Sequence, residues 1–274
     1  MVADDGSAYP PEKDYAVIAE LAGVRVLRQP TNTGRARIRN LLADAAQYPY
    51  LLFIDCDAEL VAEDFIAQYI RAAGQVPVVC GGTVYPFVAP ADSVLHLRWH
   101  YGRYREMRTA AERAENRYRS FSSFNFLISS DCFQQIRFDT SISRYGHEDT
   151  LFGIELERRQ IAVLHIDAPL LHAGLEPAGV FVGKTEQAVR NLWQLFCQEQ
   201  LRPYLSSGSS LVATFEMAQR LRLAGAAGML YMLLRRPMRW IVIRANCLRL
   251  LDLYKLGLLC LISRTDAKHR EISQ

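Results

Sequence analysis

The sequence predicts an open α/β sheet, on three observations. Apolar runs of four to six residues alternate with longer amphipathic stretches at the spacing of βαβ units. The run Tyr50-Leu51-Leu52-Phe53-Ile54 stops abruptly on Asp55-Cys56-Asp57, as a buried strand does where it reaches the ligand-gathering carboxyl edge of a sheet. The third observation is composition: half of the 274 residues are hydrophobic, enough for a sizeable core.

Element by element, Val2-Ala3 reads as the last turn of a strand, entered with no earlier strand before it, and Asp4-Asp5-Gly6-Ser7 as its closing turn. A helix over Tyr15 to Ala22 and a strand over Val24 to Leu27 follow, then the turn Asn32-Thr33-Gly34 opens a helix from Arg35 to about Ala46. The strand ending at Asp57 is expected to be buried on both faces. If the backbone stays extended there, Asp55 and Asp57 point to one side, and two hard oxygen ligands suit Mg²⁺ or Mn²⁺. The simpler alternative is that Asp57 caps a helix beginning at Ala58. Further expectations are a helix over Val61 to Ala73, a strand over Val76 to Cys80, a helix with a basic flank between Pro90 and Arg119, and strands over Phe121 to Ile128 and Ile161 to Ile166. Within the last of these His165 reads as a satisfied core histidine. Tyr145-Gly146-His147-Glu148-Asp149 stands where a loop becomes a helix running to Arg159, and Pro169 to Gly174 reads as a loop.

After Lys184 the chain turns helical. Pro203 to Ser210 has a linker's composition, and Leu211 to Ile262 alternates apolar clusters with arginines, with Pro237 expected to split it into two helices. Charge separates the same way. Residues 1–215 hold 21 Lys/Arg against 25 Asp/Glu, a net −4, and residues 216–274 hold 11 against 4, a net +7. The body shows no sign of a nucleic-acid binder, while the tail has the apolar faces and basic flanks of a helix lying on an anionic membrane surface. Packing of these helices on the body is the alternative. The six cysteines have no metal-finger spacing and read as reduced core thiols; with no visible signal peptide, they suggest a cytoplasmic protein, peripheral on the inner face of the plasma membrane.

In this order, Asp4-Asp5-Gly6-Ser7, Asn32-x-Gly34 with Arg39-Asn40, Asp55-x-Asp57, Gly146-His147-Glu148-Asp149 and His172 resemble the family 2 inverting glycosyltransferases with a GT-A fold, a Rossmann-like open mixed sheet. The chain departs from that pattern in lacking the family's first strand and the loop after it. The resemblance implies a GT-A unit over residues 1–205, truncated at its N-terminus, and a basic helical extension over 206–274. It implies a UDP-sugar donor bound by Asp4, Asp5, Gly34, Arg39, Asn40 and Asp55, with Asp5 accepting the N3–H of uracil. Asp57 and His172 would hold Mn²⁺ or Mg²⁺, Asp149 would be the base, and Glu148 would grip a saccharide or lipid-linked acceptor. The rival from another class is a non-catalytic sugar-nucleotide-binding remnant. A sugar nucleotidyltransferase would need a Gly-rich loop and a nearby lysine, and neither is present.

Overall fold

The structure, a computed structural model, describes residues 1–8, 12–141 and 146–272, with the side chains beyond residue 267 left aside. Tyr145 lies outside these residues. The architecture grows from short strands whose side chains alternate between two faces. β1 (Val2–Asp4) pairs in parallel with β2 (Val26–Arg28), and α1 (Glu12–Ala19) connects them. A four-stranded mixed sheet follows in the order β3 (Tyr50–Ile54), β7 (Asn125–Ser129), β5 (Val78–Cys80), β8 (Val163–His165). A second sheet sets β9 (Leu170–His172) between β4 (Ala58–Leu60) and β6 (Thr83–Val84).

The period-two alternation of a strand sorts the core. Leu51, Phe53, Val78, Cys80, Phe126 and Ile128 face α2 (Arg35–Ala45), α6 (Ser130–Gln135) and α7 (Glu148–Arg158). Their neighbours Val79 and Leu127 face α3 (Phe65–Ala72) on the other side, where Phe65 and Tyr69 are buried. Aromatic rings fill the first layer. Phe53 stacks on Phe126 at 4.8 Å between ring centroids, and Phe138 on Phe152 at 4.6 Å.

Several expectations change. β3 is a strand with one hydrogen-bonded neighbour among the described residues, the antiparallel β7, and Tyr50 and Ile54 are exposed. It is therefore not buried on both faces. It ends at Ile54, so Asp55 and Asp57 lie in a turn closed by the Ala58 N–H to Asp55 carbonyl bond, and their side chains meet different partners, Arg39 and His172. No helix begins at Ala58, where β4 runs instead, so Asp57 is not a helix cap. The stretch from Pro90 to Arg119 breaks into a 3-10 turn (Ser93–Leu95), α4 (His96–Tyr101), a π-helical turn (Gly102–Glu106) and α5 (Ala110–Ala114). Residues 170–172 are a strand, not a loop.

The C-terminal part is built of α8 (Ala178–Phe196), α9 (Arg202–Gly208), α10 (Ser210–Arg220), α11 (Ala224–Ala245) and α12 (Leu248–Ile272). The linker expected over 203–210 is thus helical. Pro203 sits in the first turn of α9, where a missing N–H costs nothing, and Ser209 caps α10 by accepting from the Val212 N–H. Pro237 lies inside an unbroken α11, and the chain reverses instead at Asn246, the left-handed C-cap. These helices share one core with α4 and α7: Leu97, Ile154, Val182, Leu192, Phe215, Val242 and Leu258 are all buried in it. Packing on the body therefore accounts for one face of the tail. The other face stays open, because α11 exposes Met229, Leu230, Met232, Leu233 and Trp240. No helix among the described residues is long and apolar enough to cross a membrane.

Phe215 is fully buried and meets Trp193 and Phe196 edge-on. Phe215→Ala is expected to lower stability by about 3–5 kcal/mol, the usual cost of emptying such a site, read by urea denaturation. A loss below about 1 kcal/mol would detach α10 from the core.

Candidate active site

The segment Ser122 to Asn125, which leads into β7, positions most of the site. The Asp55 N–H donates to the Phe124 carbonyl at 3.1 Å, the Ser123 N–H to Asp149 Oδ2 at 3.1 Å, and the Phe124 ring stacks on His172 at 5.3 Å. Asn125 anchors the segment from within. Its amide donates to the carbonyls of Ala168 and Gly82, and its Oδ1 accepts from the Tyr69 hydroxyl. A buried polar side chain with every group partnered is rigid, so this segment is a firm ruler.

Around it opens a cleft of about 610 Å³ lined by Arg39, Asp55, Glu148, Asp149 and His172 among others. Five of the residues expected from sequence thus meet in one place. Asp55 is gripped by buried Arg39 at 2.5 Å. Asp57 comes next to His172 through the β4–β9 register, which sets Ala58 opposite His172. Asp57 Oδ2 lies 3.7 Å from His172 Nε2. Gly174 leaves room for this approach, since a Cβ on it would stand 2.2 Å from the same Asp57 oxygen and displace the carboxylate. His172 is sandwiched between Tyr85 and Phe124, and burial, reinforced by the Arg98 charge, holds its pKa below the ordinary value. The ring is therefore neutral near pH 7 and keeps a lone pair for a cation. One carboxylate and one imidazole would suit a Mn²⁺-like ion that takes its other ligands from outside the protein. Among the described residues no group of three such side chains assembles.

Glu148 and Asp149 open α7, after His147 in the left-handed conformation (φ 74°). Burial lifts the Glu148 carboxyl above the usual range, adjacent Asp149 adds to this, and Arg35 and Arg39 oppose it. Glu148 Oε2 also accepts the Gly146 N–H at 3.1 Å. His147 Nε2 meets the Ala188 carbonyl at 3.0 Å, and burial drives its pKa down to about 4.

The remaining residues expected at the donor lie outside the cleft lining. Asp5 accepts from the Thr33 N–H and hydroxyl on Oδ1 and from the Gly34 N–H on Oδ2, tying the first turn to the start of α2. Gly6 (φ 71°) lets that turn close, since a Cβ there would stand 2.3 Å from the Thr31 backbone. Asp4 accepts the Ser7 N–H and lies 3.9 Å from Arg28. Asn40 bonds the backbone of Phe138 through both side-chain atoms, at 2.9 and 3.1 Å, and so fastens α2 to the segment after α6.

Sequence reading missed the network behind His172. Buried Arg98 donates to Glu106 at 3.0 Å and to the Tyr85 hydroxyl at 2.8 Å, and lies 3.4 Å from His172 Nε2. Most charges between 95 and 119 are exposed, but Arg98 and Arg113 are buried. His165 is the core histidine expected, bonded to the Arg117 carbonyl and beside Arg113.

His147 makes a pH prediction. Its folded pKa of about 4 lies below its ordinary 6.5, so the unfolded chain binds the extra proton first, and the stability it contributes is lost as pH falls from 6.5 towards 4. His147→Asn keeps a residue tolerant of positive φ and removes the titration. The drop in melting temperature between pH 7 and pH 5 should shrink in the variant; parallel drops would exclude His147.

Residues 1–133 match the family model described as glycosyl transferase family 2. No curated protein matches the chain. Among solved structures, the mannosyltransferase PcManGT from Pyrobaculum calidifontis, in complex with GDP-Man and Mn²⁺, is similar at a TM-score of 0.59 and 14% identity, over 96% of this chain and 76% of that one. S. aureus TarS 1-349 is similar at 0.49 and 14%, over 97% and 81%. Over residues 1–133 the chain is thus similar to glycosyl transferase family 2, and the fold that carries them is the GT-A fold.

Proposed function

We propose that this chain is an inverting, metal-assisted glycosyltransferase that moves a hexosyl or N-acetylhexosaminyl group from a UDP-sugar to a saccharide or lipid-linked saccharide. Convergence carries the reading: Arg39, Asp55, Glu148, Asp149 and His172 line one cleft from four separate parts of the chain, and Asp57, outside that lining, stands beside His172. Residues 1–205 act as the transferase unit and 206–274 as its basic helical extension.

Asp57 and His172 would hold the divalent ion, which when bound offsets the charge developing on the departing diphosphate. The structural neighbour that carries Mn²⁺ and GDP-Man supports the choice of ion and of a nucleotide-sugar donor. Uridine is favoured by Asp5. Its carboxylate has about four acceptor places, and after three internal bonds one on Oδ2 remains for the uracil N3–H. Asp149, oriented by the Ser123 N–H, takes the proton of the acceptor hydroxyl as that oxygen bonds the anomeric carbon. The bond from this carbon to the diphosphate breaks with its electron pair leaving on phosphate. Direct displacement inverts the centre. Glu148, held more weakly acidic by burial, grips the acceptor hydroxyls.

The exposed face of α11 supports a membrane-borne acceptor. Its apolar side chains are flanked by exposed Arg220, Arg222, Arg235, Arg236, Arg244 and Arg249, the pattern of a helix seated in an anionic lipid interface. We place the protein on the cytoplasmic face of the membrane by this surface.

In calorimetry with Mn²⁺, Asp57→Ala should lose UDP binding, whereas Asp149→Asn should keep it and lower turnover about 100-fold or more. Full turnover in Asp149→Asn would take it from the base role, and metal-independent binding unaffected by Asp57→Ala would remove the ion site. Cosedimentation with phosphatidylglycerol vesicles should fall with salt and with Trp240→Glu/Leu233→Glu; no sedimentation in low salt would end the membrane assignment.

A further inference from the structure

His172 has unusual surroundings for an imidazole assigned to an ion. Such a ring ordinarily donates its second N–H to a carbonyl or carboxylate, and that bond decides which nitrogen is left bare. Here Nδ1 is buried and makes no hydrogen bond with a described residue, while the two ring faces are taken by Tyr85 at 5.4 Å and Phe124 at 5.3 Å. The tautomer must therefore be decided at Nε2. Two groups stand there, Asp57 Oδ2 at 3.7 Å and Arg98 Nη2 at 3.4 Å.

The two ask for opposite arrangements. A carboxylate attracts a proton on Nε2, but 3.7 Å is too long for a hydrogen bond. A guanidinium has donors and no acceptor, so its contact with Nε2 is favourable only when that nitrogen is bare; a hydrogen on Nε2 would be turned toward a cation. Arg98 is also firmly aimed. Nη1 donates to Glu106 at 3.0 Å, which leaves the two hydrogens of Nη2 for the Tyr85 hydroxyl at 2.8 Å and for His172. The Tyr85 hydroxyl donates in turn to Glu106. The π-helical turn Gly102–Glu106, a rare conformation, brings Glu106 back to Arg98, and a Cβ on Gly102 would run into the Tyr85 ring. The Trp99 indole and Arg103 both donate to the Pro86 carbonyl, which ties the residue after Tyr85 to the same helical stretch.

We propose that Arg98 is a positioning residue that sets the tautomer of His172: it keeps the proton on Nδ1 and presents a bare Nε2 beside Asp57 Oδ2. Its importance for ion binding rests on reading Asp57 and His172 as the ion site. Nε2 then needs no proton transfer before it can ligate. The long contact to Arg98 gives way readily, because the guanidinium keeps Glu106 and Tyr85, and the Glu106 carboxylate offsets the positive charge beside the site. The arrangement leaves a buried Nδ1–H unpartnered, so it holds only while Arg98 opposes it. Without Arg98 the proton passes to Nε2, toward the Asp57 carboxylate.

The first measurement is ¹⁵N NMR of the ring nitrogens in the metal-free full chain, at a pH where the ring is neutral, with His172→Gln identifying its signals among the six histidines. The wild type should show a proton on Nδ1 and a bare Nε2. In Arg98→Met/Glu106→Gln, which removes the donor without leaving Glu106 an unpartnered charge, the proton should move to Nε2. Arg98→Lys, which again offers only donors, should keep the Nδ1–H form. The second measurement is a Mn²⁺ titration with UDP present, followed by electron paramagnetic resonance. The double variant should bind the ion about tenfold more weakly, and Arg98→Lys close to the wild type. A proton on Nε2 in the wild type overturns the proposal, and this spectrum decides even where the double variant does not fold. A folded double variant that keeps the Nδ1–H form, or that binds Mn²⁺ as tightly as the wild type, overturns it as well. If the proton moves as stated but Mn²⁺ binds none of the proteins, the ion site falls and the Arg98 assignment stands.

Discussion

The site depends on the pinning of four consecutive residues, Ser122 to Asn125. Their backbone fixes Asp55 and Asp149 by direct hydrogen bonds, one of their rings fixes His172, and a fully partnered asparagine fixes them to the sheet. Groups contributed by distant parts of the chain hold a common geometry only if something rigid touches all of them. Here that element is the entry to a buried strand, and it contributes backbone atoms more than side chains.

This explains what could be read from the chain in advance. The acidic residues and His172 carry their chemistry in their side chains, and their order along the chain resembled a known family, so they were legible. The apolar alternation of Leu51 to Phe53 and Val78 to Cys80 likewise announced strands. The role of Ser122, Ser123 and Asn125, by contrast, is hidden in the sequence, because a backbone N–H that holds a carboxylate leaves no mark on residue type. β9 is hidden behind a loop-like sequence for a related reason. A three-residue strand has too few positions to show a period, and its register with β4, which sets Asp57 beside His172, is a property of two segments more than a hundred residues apart.

Propensity was overruled in the C-terminal part by packing. Pro203 and its serines have the composition of a flexible connection, yet Leu205, Val212 and Phe215 are buried in the same core as α8, and that burial outweighs weak local preference. Pro237 is accommodated in α11, where most residues are exposed, Leu233 one turn earlier among them. Arg98 shows the opposite limit. A charged residue in a charged stretch reads as solvated, and only the nearby Glu106 and the Tyr85 hydroxyl make its burial tolerable.

The contacts of α12 run further than its position suggests. Tyr254 donates to Glu186 at 2.6 Å and Asp266 accepts from the Trp193 indole at 2.5 Å, so both ends of α12 are fastened to α8. From α8, the Ala188 carbonyl reaches His147, the residue on which α7 starts. Cutting the polypeptide at the Asn246 reversal would therefore loosen a brace two helices removed from the carboxylates, and a nick in the periphery would register as a change in the chemistry at the centre.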